Sequence, residues 1–196
     1  MRAYVIPFFT YIISTFLFSY FFRDTIAFSL RYLLTLVVIL YFWKNYKLKF
    51  KISNYSFFAG VVVFIFWVSL DDLYPRLAEP SFIPLSALAI LIKYAGSILV
   101  APLVEELFVR SFLLRYLIDS DNWKKTKPRF TWLSFAITVL FFGFSHSRWL
   151  AGLIAGIIYN LVYYKTKDIS ECVFAHATTN LFLGIYVIIT QSWWFW

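Results

Sequence analysis

Residues 86–118 read SALAILIKYAGSILVAPLVEELFVRSFLLRYLI, an apolar run with two adjacent carboxylates and an arginine, Glu105-Glu106 and Arg110, set deep inside it. About 20 apolar residues span a bilayer as one helix, so the run exceeds a single straight span. Pro102 cannot donate a helical hydrogen bond, and it divides the run into an approach segment, 86–101, and a second segment, 102–118, that carries the charges. A charge at the centre of a membrane helix costs roughly 2.5–3.5 kcal/mol on insertion scales. Three together read as a functional site.

The rest of the chain repeats the apolar pattern. Hydrophobic residues make up 62% and charged residues only 14%, which excludes an ordinary soluble domain. Apolar runs predict helices at 3–22, 25–43, 54–70, 82–118, 130–145, 148–165 and 169–190. The expected fold is all-α, a polytopic transmembrane helical bundle of about seven spans at about 20 residues each. A chain of 196 residues then has no room for a second domain, so residues 1–196 are one unit, with N-terminal spans in 1–80 and a core in 84–190. Arg23-Asp24 makes a tight link between the first two helices, and Asp71-Asp72 and Glu79-Pro80 mark a longer acidic loop. The closing Ser192-Trp193-Trp194-Phe195-Trp196 reads as an aromatic belt at the membrane interface.

The net charge of +8 does not point to nucleic acid, because the cations cluster in loops between apolar runs. Lys44, Lys47, Lys49 and Lys51 form one loop; Lys124, Lys125, Lys127 and Arg129 a second; Lys165 and Lys167 a third. With a cytoplasmic N-terminus these fall on the inside together with Arg2 and Arg115, leaving Arg23, Arg76 and Arg148 outside. The positive-inside rule then predicts N-in, C-out. The first apolar run lacks a small-residue cleavage site and is expected to stay as a span. The single Cys172 excludes an internal disulfide and reads as a small buried residue.

Three polar clusters carry the chemistry. Glu106 and Arg110 stand four apart, so they face each other on a helix and form an ion pair, while Glu105 points elsewhere, toward a wet cavity. If Pro102 restarts the helix, Glu105 falls in its first turn, where the dipole favours an anion. His146 closes Phe141-Phe142-Gly143-Phe144-Ser145-His146, with Phe142 one turn earlier on the same face. His176 and Asn180 share one stripe of the last span among small residues. These are the only two histidines of the chain. Glu105 and His146 can hold and deprotonate a water, and His176 and Asn180 can donate to the oxyanion of a tetrahedral intermediate. No Ser or Cys has a nucleophile's setting, which favours direct attack by water.

Zinc held by Glu105, His146 and His176 is the competing arrangement, but the two histidines come from separate helices and the His-Glu-x-x-His spacing is absent. No cofactor is expected. Arg31 and Lys93 also interrupt apolar runs, where snorkelling accounts for them, and Asn160 either lines the same cavity or bridges helices.

In order and spacing, Glu105-Glu106…Arg110, Phe142…His146 and His176…Asn180 resemble the Glu-Glu-x-x-x-Arg, Phe-x-x-x-His and His-x-x-x-Asn motifs of the CPBP family. That family comprises intramembrane CAAX prenyl endopeptidases and bacteriocin-processing relatives, and the resemblance covers residues 84–190. A finer likeness, in 104–118, Trp149-Leu150-Ala151-Gly152 and Ala175–Asn180, is to CAAX protease-related proteins associated with bacterial exosortases. The resemblance implies a CAAX-protease-like fold and a multi-pass protein of the bacterial inner membrane. It assigns the first Glu and first His, here Glu105 and His146, to the water, and the second His and Asn, here His176 and Asn180, to the oxyanion hole. Glu106, Arg110 and Phe142 are supporting residues. The implied substrate is a membrane-associated protein or peptide in the lipid bilayer; bacteria generally lack prenylated CAAX proteins, so the family name does not name the reaction. A non-catalytic scaffold or accessory component among exosortase-system partners is the alternative. A proton-coupled transporter is disfavoured by the absence of an inverted repeat.

Overall fold

The computed structural model describes residues 1–49, 52–78, 82, 84 and 86–196. Lys51, Glu79 and Pro80, counted above among loop residues, lie outside the described residues. Helices are α1 (Arg2–Phe21), α2 (Asp24–Tyr41), α3 (Asn54–Ser69), α4 (Ala87–Leu99), α5 (Ala101–Glu106), α6 (Arg115–Ile118), α7 (Trp132–Phe144), α8 (Trp149–Thr166) and α9 (Ile169–Thr190). A π-helical stretch, Leu107–Leu114, joins α5 to α6, so residues 87–118 make one long composite element.

Side-chain caps set several helix starts. Ser53, Ser86, Thr131 and Asp168 accept from the backbone N–H groups of Ser56, Ala89, Ser134 and Ser170, which would otherwise be orphaned at the helix ends. Lys167, in the left-handed region at φ 54°, ends α8 and lets the chain turn directly into α9. Pro102 is the second residue of α5, which places Glu105 beyond the first helical turn. The expected dipole benefit at Glu105 therefore does not apply, because that effect fades after the first turn.

Inside lipid, apolar surface gains little from leaving one apolar medium for another, so helices associate by close packing and polar contacts. α1 pairs with α2, α7 with α8, and α3 packs on α9 and α8. Glycines set two of these approaches. A Cβ on Gly60 of α3 would come within 2.3 Å of the Ala175 carbonyl oxygen of α9. A Cβ on Gly152 would lie 3.0 Å from Cα of Gly143, which locks the α7–α8 hairpin. A polar tie joins α3 and α9 as well: Ser53 and Ser56 donate hydroxyl hydrogen bonds to the Glu171 carboxylate.

Among the described residues four elements are long and apolar enough to cross a membrane: α1, α2, the composite Ala87–Ile118, and α9. α3 and α7 are apolar but shorter, and three tyrosines, Asn160 and Lys165 dilute the apolar character of α8. Exposed Phe16, Leu33, Ile65 and Ile189 give the bundle an apolar outer surface. The protein is a membrane-embedded helical bundle.

The two ends of the bundle differ in charge. Arg2, Lys47, Lys49, Arg115, Lys125 and Lys167 surround a cavity of about 770 Å³ beside the N-terminus. At another site Asp71 gathers Arg148 at 2.6 Å, Arg76 at 2.7 Å and the Trp194 indole N–H at 3.1 Å. This network turns the aromatic C-terminal stretch inward. Phe195 and Trp196 line a cavity of the bundle while staying partly exposed, and Trp194 is exposed.

Candidate active site

Every sequence-predicted catalytic residue lines one cavity of about 250 Å³: Glu105 of α5, His146 just past α7, and His176 and Asn180 of α9. Phe142 lines it too. The bend after α7 places His146, since its backbone N–H bonds the Gly143 carbonyl while the Gly143–Gly152 contact holds the helices together.

Glu105 and His146 form an acceptor pair. His146 Nδ1 lies 2.7 Å from the Phe142 carbonyl oxygen, and a carbonyl only accepts, so Nδ1 carries the proton. In the neutral ring Nε2 is then a bare lone pair. It stands 3.8 Å from Glu105 Oε2, too far for a direct hydrogen bond and suited to a molecule that donates to both. Trp67 and Phe142 flank the imidazole at 5.5 and 4.7 Å between ring centroids, limiting its rotation.

Glu106 has a different environment. It is fully buried, its Oε1 accepts from Arg110 Nη1 at 3.1 Å, and the same oxygen lies 3.0 Å from His176 Nδ1. Oε2 has no partner among the described residues. The guanidinium of Arg110 is itself held on several sides. Its Nε donates to Asn160 Oδ1 and Nη2 to the Gly156 carbonyl, each at 3.3 Å, and Phe142 covers it at 4.2 Å. Asn160 passes the network on, donating to Thr138 Oγ1 at 2.9 Å. The sequence left Asn160 between two roles; the structure makes it the bridge between Arg110 and α7.

Asn180 donates one amide N–H to the Ser97 carbonyl of α4 at 2.7 Å, which leaves the second N–H of the amide available beside the cavity. Tyr159 stacks on the His176 ring at 5.1 Å, and its hydroxyl donates to Thr179, which bonds the Gly60 carbonyl. Tyr159 and Ser97 carried no sequence signal: one is an aromatic among many, and the other acts through its backbone. Among the described residues no three His, Cys, Asp or Glu side chains gather as a metal-binding group.

Residues 86–182 match the family model described as Type II CAAX prenyl endopeptidase Rce1-like. No curated protein and no solved structure gives a match. The matched stretch holds all three motifs and every residue facing the cavity from α5, α7 and α9 that the sequence singled out. Residues 86–182 thus form an Rce1-like CAAX-protease domain, which is consistent with the CPBP family of membrane proteins.

Proposed function

We propose that the protein is an intramembrane endopeptidase that hydrolyses a peptide bond of a membrane-associated protein or peptide. The observation that carries this reading is the acceptor pair of Glu105 Oε2 and His146 Nε2, 3.8 Å apart at a cavity. A water seated there donates one hydrogen to each acceptor and aims an oxygen lone pair at a substrate carbonyl. As that oxygen bonds the carbonyl carbon, Glu105 takes the proton and the carbonyl electrons move onto oxygen. The oxyanion receives hydrogen bonds from Asn180 and His176. Collapse breaks the C–N bond, and the proton held on Glu105 passes to the leaving amine.

The role of His176 carries a condition. Its Nδ1–H is committed to Glu106, so an Nε2–H aimed at the cavity requires the doubly protonated ring. No step of this reading requires a metal.

The basic cavity beside the N-terminus supports a cytoplasmic N-terminus in a bacterial inner membrane. Trp67, Phe195 and Trp196, side chains from the opposite part of the bundle, also line the catalytic cavity, which supports cleavage toward the outer face. Exosortase-system substrates are the first class to examine. A scaffold needs no carboxylate facing a cavity, and no feature of the site favours that alternative.

The test compares membrane-protein termini in cells carrying the native protein or Glu105→Gln. New termini present only with the native protein support the reading. Identical termini, with both proteins equally abundant, would refute it.

A further inference from the structure

Arg31 and Lys93 both line the catalytic cavity, and the mechanism uses neither. Arg31 of α2 is 8% exposed; its Nη2 donates to the Tyr32 hydroxyl at 2.5 Å and its Nη1 to Thr15 at 3.3 Å, while Nε is buried without a partner. Lys93 of α4 has its ammonium against aromatic faces, 4.4 Å from the Phe28 ring centre and 4.7 Å from that of Phe82. Among the described residues neither forms an ion pair. Both touch the same Phe28 ring, so two like charges stand within roughly 10 Å of one another in a medium that screens poorly.

Snorkelling does not explain this placement. A snorkelling side chain carries its charge outward to headgroups, whereas these two heads line the cavity that also holds Glu105. Arg31 and Lys93 have no ion-pair partner among the described residues, and cations within a bilayer are costly unless an anion joins them. Hydroxyls and rings occupy their remaining sides, and the open side is the cavity.

We propose that Arg31 and Lys93 form a carboxylate-binding subsite of the catalytic cavity, which holds an anionic group of the peptide close to the bond that is cut. This rests on the reading that the cavity takes a peptide. Either a free C-terminal carboxylate or an acidic side chain supplies the same chemistry. Arg31 offers a planar fork and Lys93 a point charge, a combination that recognises a carboxylate with both orientation and attraction.

The test uses the whole chain as Glu105→Gln, in phosphatidylcholine nanodiscs, with N-terminally palmitoylated fluorescent peptide pools. Three pools are needed: C-terminal acids lacking Asp and Glu, the corresponding C-terminal amides, and amides containing one Glu. At least one anionic pool is expected to bind roughly tenfold or more tightly than the neutral amides, the scale of a charged hydrogen bond. Preference for the acids identifies a terminal carboxylate; preference for the Glu pool identifies a side chain. Lys93→Gln and Arg31→Gln, each added to that background, should remove most of the preference of anionic over neutral pools, while Arg31→Lys should retain part of it. Where Arg31→Gln fails to fold, Lys93→Gln decides. Equal binding of all pools, or a preference that survives Lys93→Gln, overturns the proposal. Because binding is read without turnover, absence of proteolysis by the native protein would remove the hydrolase reading and leave the anion subsite standing.

Discussion

His176 Nδ1 donates to Glu106 Oε1 across 3.0 Å, and that same oxygen accepts from Arg110 Nη1 at 3.1 Å. One carboxylate thus fastens α9 to the composite element while Arg110 fastens that element to α8 through Asn160 and Gly156. The adjacent glutamates therefore have separate tasks. Glu105 faces the cavity, and Glu106 is buried between the Arg110 guanidinium and the His176 imidazole.

That separation predicts opposite responses to substitution. Glu106→Ala leaves a buried guanidinium without its carboxylate and should lower stability by about 3–5 kcal/mol. Glu105→Gln preserves shape and should stay within about 0.5 kcal/mol of the native protein while turnover is lost. Denaturation in detergent micelles, measured beside peptide cleavage, separates the two effects.

Asn180→Ala should reduce kcat by about a hundredfold to a thousandfold, the scale of losing one oxyanion donor, with KM little changed. Asn180→Asp keeps the shape but presents an anion to the developing oxyanion, so its kcat should fall at least as far. Steady-state kinetics on one reporter peptide checks both.

The Asp71 network predicts a pH response. Burial pushes the Asp71 carboxyl up, but hydrogen bonds from Arg148 and Arg76 outweigh it and hold the carboxyl below the usual carboxylate range. A depressed folded-state value stabilises the fold above the unfolded carboxyl's pKa of about 3.9 and loses that contribution as pH falls through the folded value. The thermal midpoint in detergent should thus hold from neutral to mildly acidic pH and drop below about pH 4, and Asp71→Asn should lower the plateau and flatten that drop.

Gly60→Ala would bring a methyl group within 2.3 Å of the Ala175 carbonyl and 2.7 Å of Thr178 Cβ, which forces α3 and α9 apart. The expected loss is about 1–3 kcal/mol. His176 and Asn180 ride on α9, so activity per folded molecule should fall as well; turnover normalised to the folded fraction reveals it.

Water activation by Glu105 and His146 predicts full turnover after exhaustive chelation and elemental analysis. Activity lost on chelation and regained with zinc alone would require a different water-activating centre.

Much of the bundle was legible because apolar runs and breakers are local. Arg23-Asp24 does link α1 to α2, and Ile169–Thr190 matches the predicted last span closely. The Glu106–Arg110 pair was legible for the same reason, since four residues separate the partners. Contacts across the chain were not. His176 and Glu106 lie 70 positions apart, and nothing in either motif tells which glutamate the histidine will find. The inward turn of Phe195 and Trp196 was equally hidden, because it depends on Asp71 capturing Trp194 across 123 positions. Arg31 and Lys93 stood out by type alone; only packing against Phe28 shows that they share a cavity.

The wide turn of Leu107–Leu114 has a consequence for how this segment tolerates length changes. A π-helical stretch accommodates surplus residues within an otherwise α-helical path. Deleting one residue from it would relax the segment into ordinary α geometry and leave the helix continuous. Glu105 and α6 would keep nearly their present directions, because the wide turn absorbs the surplus residue. The outcome would be a protein that inserts and spans as before, with only the side chains inside 107–114 meeting new neighbours.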